Sequence, residues 1–175
     1  MENADDNDLV SGVLGGSEDA ARALFDRYWP TAWWTAYSVL GDRAGADDSA
    51  QESIARAFSS LARFDTSRPF RPWLARITAN HSMNVLRSRR REILVADPSP
   101  NGHRPDHAEL SGDHDLLIAA IRRLSEDRRV VIALRYFGDL EPSEIAYALG
   151  VPTGTVTSRL SRALTELRTL LEVAR

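Results

Sequence analysis

From Ser17 to Arg91 the apolar residues recur three and four positions apart, the spacing that lays one stripe along an α-helix. Ser17 is placed to cap a helix running through Leu24, Phe25 and Tyr28. Pro30, a residue favoured at a first helical position, opens the next, which carries Trp33, Ala36, Tyr37 and Leu40 and stops at Gly41. A third helix is predicted from about Ala44 to Leu61, burying Ala50, Ile54, Ala57, Phe58 and Leu61. After a short loop, Arg63 to Pro69, a fourth runs from Phe70 to Arg91 with Trp73, Leu74, Ile77, Met83 and Leu86 on its apolar side. The periodicity then stops. Glu92 to Asp115 holds three prolines, two glycines and three histidines, and after Leu94 and Val95 almost nothing to bury, so it reads as an extended linker. The pattern predicts an all-α protein of two small helical domains, residues 1–91 and 116–175, joined by an extended acidic linker, residues 92–115.

The sharpest local pattern lies near the C-terminus, in PSEIAYALGVPTGTVTSRLSRALTELRTLL (Pro142 to Leu171). Pro142 suits a first helical position, and the charge of Glu144 suits the dipole of that same turn. Ile145, Ala146 and Leu149 form one short apolar face. Gly150 is able to take the left-handed conformation that ends a helix, Val151 and Pro152 continue the turn, and Thr153 offers a hydroxyl as N-cap of a second helix. Along that helix Val156, Leu160, Ala163, Leu164, Leu167 and Leu171 point inward. At 100° per residue the outer face carries Thr155, Ser158, Ser161, Arg162 and Thr165, flanked by Thr157 and Arg159. Hydroxyls and guanidinium groups reach base edges and phosphates, so the pair reads as a DNA-binding helix-turn-helix, against the plainer reading of a solvated helical hairpin.

Charge sharpens the division. All 22 basic residues are arginine and the net charge is −3, which argues against a protein that coats nucleic acid indiscriminately. Residues 1–40, 41–91, 92–115 and 116–175 carry −5, +5, −5 and +2, two positive blocks separated by an acidic connector. The start, MENADDNDLV, is acidic and reads as a docking tail or as disorder. With no cysteine there is neither a disulfide nor a thiolate metal site, and His103, His107 and His114 lack a fixed helical spacing, so no metal and no cofactor is expected. No apolar stretch approaches membrane-spanning length and no basic-then-apolar leader opens the chain, so a cytoplasmic protein without membrane insertion is expected. Neither paired carboxylates, a phosphate loop nor a nucleophile with its base stands out, so no catalytic residue and no enzyme activity is expected.

The fourth helix ends in a basic cluster, Arg87, Arg89, Arg90 and Arg91, and its polar face shows Arg71, Arg76, Asn80, His81 and Asn84 beside the loop RFDTSRP. Phe64, Phe70 and Trp73 are chiefly core residues, although aromatics also stack on unpaired bases, which makes the loop a candidate single-strand site. Asp47, Asp48, Gln51, Glu52 and Ser53 form an acidic, hydrogen-bonding patch on the third helix.

The order GDRAGADDSAQESIARAF, then RFDTSRPFRPWLARITANHSMNVLRSRRR, an acidic linker, then LSEDRRVVIALRYFGDLEPSEIAYALGVPTGTVTSRLSRALTELRTLL, resembles the extracytoplasmic function (ECF, group 4) sigma factors of bacterial RNA polymerase over nearly the whole chain. The resemblance implies that residues 1–91 bind the polymerase clamp and recognise and melt the minus-10 element. Residues 116–175 would bind the minus-35 element, and the linker would thread past the active centre towards the RNA exit channel. It implies core polymerase (clamp and flap) and promoter DNA as partners. Because so short a sigma factor has few internal means of being silenced, it also suggests an anti-sigma factor. Polymerase contact falls to Asp47, Asp48, Gln51 and Glu52; Asp48, Gln51 and Glu52 match the family's clamp-contacting positions, while Ser49 and Ala50 stand where the family usually carries bulkier apolar residues. The loop Phe64, Asp65, Thr66, Ser67 and Arg68 matches the family's pocket for a flipped base, with Arg71, Arg76, Asn80, Asn84, Arg87 and Arg90 along the adjoining strand path. The minus-35 contacts fall to Thr153, Thr155, Thr157, Ser158, Arg159, Ser161 and Arg162. Thr157 and Ser161 stand where relatives often carry basic or imidazole groups, which shifts weight to Arg159 and Arg162. The alternative reading is a stand-alone helix-turn-helix regulator, in which the first basic domain and the linker would lack a role.

Overall fold

The computed structural model describes residues 5–96 and 113–173, all in helices, turns and short connections, without a strand among them. Eight α-helices follow in order: α1 (Asp6–Leu14), α2 (Glu18–Leu40), α3 (Arg43–Ser60), α4 (Phe70–Ala96), α5 (Asp113–Arg123), α6 (Glu126–Ile132), α7 (Pro142–Leu149) and α8 (Thr153–Val173). A 3₁₀ turn, Leu61–Arg63, precedes the loop into α4, and a π-helical turn, Ala133–Phe137, follows α6. Helix α4 continues to Ala96 and α5 begins at Asp113, so regular structure enters both ends of the acidic 92–115 segment. The rest of that segment, with His103 and His107, lies outside the described residues.

Two expectations are corrected in the first forty residues. From Asp6 the acidic start forms α1, capped by Asp5, with Leu9 and Val10 buried and Asp6 bonded to Arg27 (2.7 Å) and to the Tyr28 hydroxyl. Burial, then the bond to Asp6, pushes the Tyr28 phenol well above its ordinary pKa. Pro30 lies inside α2 and starts no new helix. A proline lacks the amide that would bond four residues back and crowds that carbonyl. Pro30 is exposed, so water can satisfy the orphaned carbonyl, while Leu24 and Tyr28 before it and Ala32 after it, on the other face, hold both sides of the proline to one core.

Helices α1 to α4 enclose a core around Leu24, Ile54, Leu61, Phe70 and Leu74. Between α3 and α4 the contact is made by small groups. Ser49 is 1% exposed and its Oγ lies 2.9 Å from Ser82 Oγ, so the buried hydroxyl is satisfied in place. Ser53, expected on the acidic patch, is buried and donates to the Ser49 carbonyl at 2.6 Å.

The C-terminal helices close a second core, built from Ile121, Val131, Leu134, Ile145, Val156 and Leu160, which is continuous with Tyr37 and Val39 of α2 and Ala79 and Met83 of α4. At this joint two arginines complete the end of α2, whose last carbonyls have no intrahelical partner. Arg129, 4% exposed, donates to the Val39 carbonyl at 2.9 Å and also to the carbonyls of Leu124 (3.2 Å) and Arg122. Burial brings its pKa down to about 10, so it stays charged at neutral pH and suits the negative end of the α2 dipole. Arg122 lies against Gly41, where φ is +78° and an added Cβ would sit 2.1 Å from Arg122 Cδ. Trp34 and Phe137 stack across the same joint with centroids 6.0 Å apart.

Candidate nucleic-acid interface

Three surfaces carry the residues singled out from sequence. On α3, Asp47, Asp48, Gln51 and Glu52 are exposed over a seam of Ser49, Ala50, Ser53 and Ile54, all buried. Asp47 accepts from Trp33 Nε1 at 2.5 Å, and Glu52 pairs with Arg56 at 2.6 Å one turn on. That pairing, first through the hydrogen bond and then through charge, lowers the Glu52 pKa. The patch is therefore anionic at neutral pH.

The loop before α4 is organised by one carboxylate. Asp65 Oδ1 accepts from the Ser67 amide (3.0 Å) and hydroxyl (2.6 Å), the Arg68 amide donates to the Asp65 carbonyl (3.0 Å), and Arg68 Nε approaches Oδ2 at 3.3 Å. The Ser67 hydroxyl, then its amide, holds the Asp65 carboxyl below the usual range. Asx turns of this kind brace a short loop from within. Thr66 is exposed at the tip. Phe64 is only 9% exposed and packs on Phe70 (5.5 Å) and Trp73 (4.8 Å), so it supports the loop from below.

Loop and helix together line a cleft of about 380 Å³ whose walls include Arg63, Phe64, Asp65, Arg68, Trp73 and Arg76. Trp73, read chiefly as a core residue, is thus also a wall of the cleft, and Arg63 was not assigned to the strand site although it opens the predicted loop, which was the available signal for it. The far wall comes from Ser143, Glu144 and Tyr147 of α7. Further along α4, Asn80 and Asn84 are exposed, and Asn84, Arg87, Arg90 and Arg91 surround a second basic recess. From Arg76 to Arg90 the helix rises about 21 Å, so these groups form a track and not one pocket. Arg71 leaves the track to bond Asp139 at 2.9 Å, while Arg87 (3.2 Å) and Arg90 (2.6 Å) both reach Glu126.

The third surface is α8. Helix α7 opens on a capping box of Glu141 and Glu144 and ends on Gly150, with φ +66°. Helix α8 starts one position earlier than expected: the Pro152 carbonyl accepts the Val156 amide (3.3 Å), and Thr153 is the first helical residue, its own carbonyl taking the Thr157 hydroxyl (3.1 Å). Val156, Leu160, Ala163 and Leu167 are buried, as the periodicity requires. Leu164 is a correction, 44% exposed, because the stripe narrows where no further helix covers it. Thr153, Thr157, Ser158, Ser161 and Arg162 are exposed, Thr155 is half-buried, and Arg159 is half-buried and paired with Asp127 at 2.7 Å.

Comparison with known proteins matches two separate parts of the chain. Residues 24–92 match Sigma-70 region 2 and residues 114–167 match Sigma-70, region 4. The ECF RNA polymerase sigma factor SigL of Mycobacterium tuberculosis is 33% identical over 168 residues, covering 93% of this chain and 95% of that protein. SigW of Bacillus subtilis, also an ECF RNA polymerase sigma factor, is 29% identical over 177 residues, covering 91% and 92%. Among solved structures, the sigma factor RpoE in complex with the anti-sigma factor NepR from Bartonella quintana superposes with a TM-score of 0.74 at 26% identity, over 88% of this chain and 98% of that one. CnrH in complex with the cytosolic domain of CnrY superposes with a TM-score of 0.74 at 25% identity, over 97% and 99%.

Proposed function

This chain belongs to the ECF sigma factors of bacterial RNA polymerase, and from that membership we propose a division of labour among its three surfaces. The protein is an alternative sigma factor that directs transcription initiation. It works by binding, without catalysis of its own, on core polymerase and promoter DNA in the cytoplasm. The exposed acids of α3 dock on the polymerase clamp. The turn Asp65–Arg68 captures one base of the unpaired non-template strand, and the track from Arg71 to Arg90 carries the rest of that strand. The outer face of α8 reads the minus-35 element in the major groove, Arg162 and Ser158 at base edges and Arg159 at phosphate.

The observation that carries the strand reading is the preformed turn at Asp65, braced by Ser67, which holds Arg68 at a cleft whose walls include Phe64 and Trp73. Extruding a base costs a few kcal/mol of stacking, and a pocket set before the strand arrives can return part of that cost. The structural relative RpoE was solved in complex with the anti-sigma factor NepR, and an anti-sigma protein is proposed as a partner here too. The test is transcription by reconstituted holoenzyme over a randomised promoter library, with residues 65–68 exchanged for another loop. The preferred minus-10 base should change while the minus-35 preference stays; an unaltered minus-10 profile would remove the pocket from the scheme.

A further inference from the structure

Four arginines on the proposed strand path meet the C-terminal helices. The Arg68 guanidinium lies over the Tyr147 ring, 4.5 Å from its centroid. Arg71 pairs with Asp139 at 2.9 Å. Arg87 and Arg90 converge on the two oxygens of Glu126 at 3.2 and 2.6 Å. A single strand of DNA would offer these guanidiniums a flat π-surface and a row of anionic oxygens. Tyr147, Asp139 and Glu126 offer the same chemistry in the same order along α4. We infer that the C-terminal module is an intramolecular stand-in for the unpaired promoter strand: one aromatic ring takes the place of a base, two carboxylates take the place of phosphates, and strand and module compete for the same arginines.

The arrangement of the rest of the molecule agrees with this. Asp48, Gln51 and Glu52 on α3 and Thr157, Ser158, Ser161 and Arg162 on α8 remain exposed in the closed form, so the contacts between the modules mask the strand path and leave these groups open. The ion pairs are exposed and each is weak. The hold comes from their number together with the Trp34–Phe137 stack and the Arg129 bond to the end of α2. A mask of weak rim contacts over a small apolar joint is one that a long polyanion can displace. It also supplies the internal means of silencing that so short a chain was not expected to have.

The inference rests on the strand path proposed above, and the test separates the two. The chain has no cysteine, so Ser59→Cys on α3 and Thr169→Cys on α8 give two unique sites for a donor and an acceptor dye. The full-length labelled chain should show high energy transfer, and adding a random-sequence pool of single-stranded DNA should lower it as binding saturates, because occupants that compete must report on each other. Glu126→Gln, Asp139→Asn and Tyr147→Ala together, with Phe137→Ser to loosen the joint, should lower transfer without DNA. That variant should also tighten binding of the pool about tenfold, the change expected if about one molecule in ten is open beforehand. Helicity by circular dichroism checks that the variant folds, and the DNA-induced drop in the unsubstituted chain stands if it does not. DNA that saturates without changing transfer, or an opened variant that binds no more tightly, overturns the inference. Arg68→Ala with Arg71→Ala in the opened chain then shows where the fault lies: weaker binding leaves the strand path standing without its mask, and unchanged binding removes both.

Discussion

Helices α1 to α4 bury a core that no C-terminal residue enters, whereas the C-terminal helices close theirs partly on α2 and α4. The difference separates two kinds of support. The loop at Asp65–Arg68 stands on Phe64, Phe70 and Trp73 from its own module, so its shape survives any movement at the joint. The orientation of α7 and α8 depends on contacts such as Trp34–Phe137 and Arg129–Val39, which exist only while the joint is closed. The loop therefore has support of its own, while the placing of α7 and α8 against it depends on the joint.

The largest effect expected from breaking this contrast is at Phe70, which is 1% exposed and touches Tyr28, Phe64 and Trp73. Phe70→Ala should destabilise the N-terminal module by about 3–5 kcal/mol in urea titration. A loss below about 1 kcal/mol would show that the loop does not stand on this ring.

Next is the α3 patch, which neither core needs. Asp48→Arg with Glu52→Arg should weaken core polymerase binding by about 2–3 kcal/mol, since like charge then faces like charge, while circular dichroism stays unchanged. Equal affinity in a competition titration would reject the clamp assignment.

On α8 the expected effects are smaller and differ in kind. Arg162→Ala should lose about 1–3 kcal/mol and relax base preference at one or two minus-35 positions. Arg159, already paired with Asp127, should on substitution by alanine weaken all promoters nearly equally and flatten the salt dependence by about one phosphate. The same uniform loss from both across a minus-35 library would dissolve the distinction between reader and positioner.

The smallest effect is local to the Asp65 turn. Its carboxyl is held below the ordinary value by Ser67, so the stabilisation is complete above the unfolded pKa of about 4 and is lost only as pH falls through the lower folded value. The Ser67 amide resonance should stay fixed from about pH 7 to pH 5 and move only below about pH 4. Movement near neutrality would mean that a different group holds the turn.

Much of this protein is decided by neighbours in sequence. Helix periodicity, the cap at Ser17, the left-handed glycines 41 and 150 and the outward face of α8 are legible because each is fixed within a turn or two of chain. The order of motifs likewise points to the family, since spacing along the chain is itself sequence information. What the sequence left open is what distant residues settle. Asp6–Leu14 is a helix and not a tail because Leu9 and Val10 find a core and Asp6 finds Arg27 and Tyr28. Pro30 continues α2 because the helix packs on one core on both sides of the proline, which outweighs one missing hydrogen bond. The closed joint is the clearest case. Arg122 and Arg129 complete the end of α2 from 81 and 90 residues away. Such a contact has no period and no local motif, because it depends on folded surfaces meeting and not on the chain between them.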